Sequence, residues 1–283
     1  MGRLALDNTI LGAVIGAGAA IAAAFIGIIG EKRKREALQR EQQSASKALS
    51  AAQKAKYGFF AQALHTKVEL LDLEPSCLGT REWRGLQVAE GTAITAIPGF
   101  FSITSGEFTD YPGIAEKNAD FPKAVLLRLL KAEKRVCEYA IEVAGTLTSH
   151  DPKLDCKIQY CQRGGFLMSR EEVEDAYPVG TFRNEYQRVY IEIPLDEVQV
   201  EIVFPVGYNP EVFPAVFMGR SEVMDDMELH RVRSGFQRTE RGGCLKVDKP
   251  LLGYSYAVYW VSPSKSAVAA LKTQAAAVAA ATT

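Results

Sequence analysis

Hydrophobic and polar positions change texture four times along this chain. From Ile10 to Gly30 the run ILGAVIGAGAAIAAAFIGIIG carries no charge, and Glu31-Lys32-Arg33-Lys34-Arg35 follows at once. A bilayer core about 30 Å thick needs roughly 20 apolar residues, so residues 1–30 are predicted to form a single-pass transmembrane anchor. Positive charge lies on the C-terminal side of the run, while Arg3 is offset by Asp7. That asymmetry puts the N-terminus outside and the C-terminal domain in the cytoplasm. A cleavable leader would carry its charges in the reverse order, and the sixth residue, Leu6, does not suit myristoylation.

Residues 31–66 are rich in Glu, Lys, Arg, Gln and Ala, and Gly58 is the first Gly or Pro. This composition predicts a helical stalk. A weak coiled-coil seam can be laid on it, with Leu38, Ala45, Ala52 and Phe59 at d and Gln42, Leu49, Lys56 and Ala63 at a.

From Lys67 short apolar runs alternate with turn residues such as Pro98-Gly99, and Ser105 to Asn118 reads as a binding loop. Leu126, Leu129, Leu130, Cys137, Ala140, Ile141, Ala144 and Leu147 recur at helical spacing, which predicts a helix over 122–147. Ser169 and Glu172 form a capping-box pair ahead of a short helix ending near Ala176. Residues 67–185 therefore read as a mixed α/β part of a cytoplasmic head.

Residues 186–263 carry candidate strands over 188–193, 198–204, 213–218, 227–236, 244–247 and 254–261, separated by Gly, Pro and Asn. This spacing predicts a β-sandwich-like part. The Ala-rich segment 264–283 has little to bury and is expected to be a flexible tail. The fold class predicted is α+β: an N-terminal transmembrane helix and helical stalk, a mixed α/β segment, and a mainly antiparallel β-sandwich-like domain.

Composition narrows the function. A formal net charge of −1 argues against a nucleic-acid partner, which a broad basic field would attract. The five cysteines are scattered and odd in number, unlike a disulfide scaffold. Phosphate-loop, dinucleotide, nucleophile-elbow and HExxH signatures do not occur, so no catalytic residues, metal ligands or cofactors are assigned.

Four site candidates remain. Gly12, Gly16, Ala20 and Ala24, with Gly27, form a small-residue face suited to self-association. Lys32, Arg33, Lys34 and Arg35 suit lipid headgroups. Arg163, Arg183, Arg231 and Arg233 are candidates for an anionic ligand, with Arg231 and Arg233 on one strand face. A motif-free catalytic site would have to use Cys156, His150 and the 106–113 loop. The expected partners are the bilayer, a second copy of the chain, and a protein or small anionic ligand. The function expected is a membrane-anchored binding, sensor or scaffold protein. A ligand-responsive membrane effector and a membrane-tethered enzyme are the alternatives.

Overall fold

A computed structural model describes residues 58–71, 76–103, 106–164, 166–177, 182–221 and 223–282. These form thirteen strands and three α-helices: β1 (Phe59–Leu70), β2 (Ser76–Val88), β3 (Ala93–Ser102), β4 (Glu107–Lys117), β5 (Val125–Ala132), β6 (Val136–Thr148), β7 (Leu154–Arg163), α1 (Arg170–Ala176), β8 (Glu185–Tyr190), β9 (Leu195–Val203), β10 (Val212–Met218), α2 (Asp226–Val232), β11 (Phe236–Thr239), β12 (Gly242–Asp248), β13 (Tyr254–Trp260) and α3 (Lys265–Thr282). A seven-stranded sheet runs β11-β12-β9-β1-β2-β7-β4, and two three-stranded sheets run β10-β13-β8 and β3-β6-β5.

The α+β expectation gives way to a β-rich fold. Residues 59–66, assigned to the stalk, lie in β1, which pairs antiparallel with β2 and parallel with β9. Phe59 and Ala63 of the proposed coiled-coil seam are therefore strand residues. Ala, Gln and Leu favour helix locally, but two sheet neighbours decide the conformation here, because strand preference depends on pairing context. Among the described residues no helix is long and apolar enough to cross a membrane. The single-pass, membrane and coiled-coil description thus finds no support in any described element. The predicted span, its small-residue face and the basic cluster from Lys32 to Arg35 lie outside the described residues.

The second correction concerns 122–147. This segment is a hairpin, β5 and β6, closed where Glu133 N donates to Val136 O at 2.8 Å. The helical stripe misleads because its first members face outward: Leu126 is 66% exposed and Leu130 53%. Cys137, Tyr139, Ile141 and Val143 are buried at the period of two that a strand imposes. The expected binding loop at 105–118, with the 106–113 stretch considered for a catalytic site, is largely β4 (Glu107–Lys117), an irregular edge strand.

The third correction lies at 227–236, expected as a strand. It is α2 followed by a 3₁₀ turn at Arg233–Gly235. Asp225 caps this helix by accepting from Glu228 N at 2.9 Å, and Asp226 and Glu228 fall in its first turn, where negative charge is favourable. The acidic cluster is thus a helix start. The segment after Pro263, expected to be flexible, is α3; its backbone is tied to α1 where Lys265 N donates to Glu171 Oε2 at 2.8 Å. Both halves of the Ser169–Glu172 capping box form at α1.

The main core joins inward residues of all three sheets, with Trp260, Tyr139, Tyr256, Phe204 and Leu86 among its most buried large side chains. β13 is buried on both faces. Tyr256, Val258 and Trp260 face the main core, and Ala257 joins Phe217 and Ala215 in a second cluster. Two glycines matter to this packing. A Cβ on Gly79 would fall 2.0 Å from the Tyr160 ring, its cross-strand neighbour, and one on Gly99 would fall 2.2 Å from the ring of Tyr139. Each tyrosine lies flat over the bare backbone opposite, an arrangement known to compensate glycine in sheets.

Gly79→Ala is expected to destabilise the fold by about 1–3 kcal/mol through overpacking. At roughly 2–4 °C per kcal/mol for a domain of this size, thermal denaturation will read the loss directly. Gly113→Ala, where a Cβ meets open space, is expected to leave the melting temperature within about a degree of the parent by the same conversion.

Candidate functional site

All three sheets contribute to one cleft of about 320 Å³, within the usual range for small-molecule sites. The seven-stranded sheet supplies Arg81 from β2 and Tyr160 and Gln162 from β7. β3 supplies Phe100 and Phe101, and β8 supplies Tyr186, Arg188 and Tyr190. Glu192 and Arg220 reach in from loops, and Phe166 closes one end.

Of the two glycine-backed tyrosines, Tyr160 lines the cleft and Tyr139 packs against its Phe101. Phe101 stacks on Tyr139 at 5.2 Å and tilts against Tyr160 at 4.7 Å, and the Arg81 guanidinium lies 4.1 Å from the Phe101 centroid. One Arg81 nitrogen, Nη1, donates to Phe100 O at 3.0 Å and to the Tyr139 hydroxyl at 3.3 Å. Its Nε is buried and has no partner. Burial holds the Tyr139 and Tyr160 phenols well above their ordinary range, so both keep their protons.

Charge is unbalanced here. Arg220 pairs with Glu192 and lies over the rings of Tyr190, at 4.8 Å, and Phe100, at 5.5 Å. Arg188 reaches only the carbonyl oxygens of Arg220 and Ser221, both at 3.5 Å, and lies 5.2 Å from the Tyr186 centroid. Among the described residues no carboxylate lies within ion-pair distance of Arg81 or Arg188. Three guanidinium groups thus share one carboxylate among the described residues, in a cleft that six aromatic rings also line. Such a set can fork an anionic oxygen group and stack a flat or apolar moiety beside it.

Phe166 is held in an unusual way. It and Leu167 have φ of 68° and 58°, consecutive left-handed conformations that bulky residues avoid. The pair follows Gly164, also left-handed, and sets the Phe166 ring 5.8 Å from Trp260 at the cleft wall. Strain of this kind, typically about 1–3 kcal/mol per residue, persists where surrounding packing holds it and clusters at binding sites.

The arginines singled out in the sequence lie elsewhere. Arg163 is exposed at the end of β7, and Arg183 lines a separate small cleft with Arg170 and Glu174. Arg231 forks both oxygens of Glu228, at 2.5 and 2.6 Å, and Arg233 is exposed in the 3₁₀ turn. The helix at α2 removes the shared strand face on which Arg231 and Arg233 were expected to meet. None of the four lines the central cleft. His150 is exposed, whereas Cys156 is buried on β7 and desolvation pushes its thiol to about 12. A thiol so held is a poor nucleophile.

The residues that do line the cleft left a trace in the sequence. Cys77, Gly79, Arg81 and Trp83 alternate on one face of β2, and Arg81 is the single charge on it. Tyr186, Arg188 and Tyr190 repeat the theme on β8. An arginine among core-facing residues on β2, and one between two tyrosines on β8, are the signals in the sequence.

Behind the cleft, Glu185 sits opposite Trp260 in the β8–β13 ladder and is 4% exposed. Its Oε2 accepts from Trp260 Nε1 at 3.1 Å, Met168 N at 3.1 Å and Ser262 Oγ at 3.4 Å. Desolvation nevertheless dominates and raises its carboxyl from 4.5 to about 8.

No family model matches this chain, and no curated protein matches it. Among solved structures it is similar to a putative protease from Parabacteroides distasonis, at 10% identity over 72% of this chain and 40% of that one, with a TM-score of 0.40. Yeast LTA4 hydrolase in complex with bestatin gives 7% identity over 74% and 30%, with a TM-score of 0.39. An M1 zinc metallopeptidase from Deinococcus radiodurans gives 10% over 71% and 42%, with a TM-score of 0.33. The chain spans less than half the length of each of these proteins. At these TM-scores the likeness carries no argument about fold or activity. Among the described residues no group of three His, Cys, Asp or Glu side chains is placed to hold a metal ion.

Glu185 generates a pH prediction. Between 4.5, its ordinary value, and about 8 the native state holds a proton that the unfolded chain has released. Its contribution to stability is therefore greatest at the acid end of that window and declines as pH rises through it. Glu185→Gln, which mimics the protonated form, is expected to flatten the fall in melting temperature between pH 5 and 8 relative to the parent. Parallel slopes for the two proteins would contradict a buried, proton-binding Glu185.

Proposed function

We propose that this chain is a non-enzymatic binding protein whose central cleft takes a small anionic ligand bearing a flat ring. The observation that carries the reading is the excess of guanidinium groups in an aromatic cleft. Arg81 keeps a buried Nε without a partner, and Arg188 has only backbone carbonyls. Arg188 has no carboxylate within ion-pair distance among the described residues, and an anionic group brought by a ligand is the partner this reading supplies. Rings on three sides supply the stacking surface, and Glu192 on Arg220 leaves the other two cations for the incoming anion. Scaffold or sensor roles in which ligand occupancy is passed to a partner protein are compatible with this reading and depend on it.

Phenyl phosphate, inorganic phosphate and phenol are the probes that separate its two halves. Phenyl phosphate is expected to bind more tightly than either fragment in isothermal titration. Arg188→Gln is expected to weaken it by about tenfold or more, the value of one charge-assisted hydrogen bond. Arg188 makes few contacts of its own, so this variant is expected to fold with an unchanged melting temperature. Equal affinity of parent and variant, or no binding of any probe at millimolar concentration, would refute the assignment.

A further inference from the structure

The central cleft runs along a sheet edge. β8 lines it with Gln187 as well as Tyr186, Arg188 and Tyr190, so side chains from both faces of one strand border it. β3 does the same with the adjacent Phe100 and Phe101. A second cavity of about 40 Å³ shares Arg81, Phe100, Tyr190 and Glu192 with the cleft. It extends between residues 98–100 of β3 and residues 189–193 at the end of β8. Together the two form a groove with β3 on one bank and β8 on the other.

The banks differ in what their backbone offers. β3 is closed to pairing on this side, because Pro98 has no N–H and Phe100 O already accepts from Arg81 Nη1 at 3.0 Å. β8 is open. Among the described residues it is bonded to β13 alone, and it has no proline and no break in register. Successive residues of an antiparallel strand turn their N–H and C=O groups alternately toward the partner and away from it. Ile191 N donates to Tyr254 O at 2.9 Å, at the start of β13, so Arg188 and Tyr190 direct their backbone groups to the groove side.

We infer that the ligand of this cleft is the carboxyl-terminal end of another polypeptide, finishing in an aromatic residue and added to β8 as an extra strand. The inference rests on the anion-binding reading and narrows it to one class of ligand. Arg81 and Arg188 have no carboxylate within ion-pair distance among the described residues, and the rings of Phe101 and Tyr186 lie beside them at 4.1 and 5.2 Å. A chain end meets every feature of the groove at once. Its main chain suits the open edge, its carboxylate the guanidinium forks, and its last side chain the aromatic wall. A small aromatic anion meets two of these and leaves the edge unused. Phe166 closes one end of the cleft, which suits a terminus better than a strand that runs through.

Isothermal titration of the full-length chain with acetyl-Ala-Ala-Ala-Phe and its derivatives tests the inference. The peptide with a free carboxylate is expected to bind about tenfold or more tightly than phenylpropanoate, which has the ring and the carboxylate but no amide. Its carboxyl-terminal amide is expected to bind about tenfold or more weakly than the free acid. N-methylation reads strand addition itself. Alternate amides of an added strand face β8, so the last two alanine nitrogens, methylated one at a time, are expected to differ. One peptide loses about tenfold in affinity and the other less than about twofold. Phenyl phosphate distinguishes the failures. If it binds while the peptide gains nothing over phenylpropanoate, the amide matches the acid, or the two methylated peptides behave alike, strand addition is overturned and the anion site stands. If neither it nor any peptide binds at millimolar concentration, both fall together.

Discussion

Strand β1 gives away both of its edges, and the rest of the architecture depends on that. On one side it forms a hairpin with β2, and on the other it runs parallel to β9 from the far half of the sequence. Parallel neighbours cannot be joined by a tight turn, so the intervening chain has to leave the sheet and return. The intervening chain supplies the β3-β6-β5 sheet and the edge strand β8, while β10 and β13, which complete the third sheet, follow β9. One carboxylate marks the seam: Glu197 on β9 reaches His65 of β1 at 3.0 Å and Lys246 of β12 at 2.7 Å. Three adjacent strands are thereby held in register by a single side chain, although the burial of Leu64, Val68, Val198, Val200 and Ile202 supplies most of the stabilisation.

The cleft follows from the same frame by close packing. Two positions without a Cβ, Gly79 and Gly99, allow Tyr160 and Tyr139 to lie against the backbone opposite. Their rings then bracket Phe101, and Phe101 with the Tyr139 hydroxyl fixes the Arg81 guanidinium. On the proposed reading, a cation positioned in this way would lose little freedom on meeting an anion. Preorganisation of that kind lowers the ordering cost that otherwise subtracts from affinity.

Short-range patterns in the sequence located turns, the capping box at Ser169 and most strands beyond residue 185. They misassigned segments whose conformation is decided by distant partners. Leu126, Leu129 and Leu130 lie at helical spacing, but they are exposed in β5, so their periodicity does not mark a core stripe. Met227 to Phe236 has apolar residues at strand-like intervals, yet the Asp225 cap and the Glu228–Arg231 fork on successive turns make it helical. The central cleft was harder still. Arg163, Arg183, Arg231 and Arg233 stood out because they are near turns or one another in sequence, whereas Arg81, Arg188 and Arg220 converge from three separate elements. Convergence of that sort is a product of topology and is not written in local spacing.

Buried polar groups among the described residues divide into those completed by the chain and those left without a partner, which include Arg81 Nε, Trp83 Nε1 and Tyr208 Oη. Glu185 receives three donors from its own chain, and Glu228 accepts from Tyr256 Oη at 2.6 Å as well as from Arg231. Groups completed in this way fix packing: Glu185 ties β8 to β13 and the loop before α1, and Glu228 ties α2 to β13. Arg81 is different. Two of its contacts pin it, yet Nε remains buried with nothing to receive its proton. Packing alone would be served as well by an apolar side chain over Phe101, without the penalty of an incomplete cation. That imbalance is what the proposed anion-binding reading draws on.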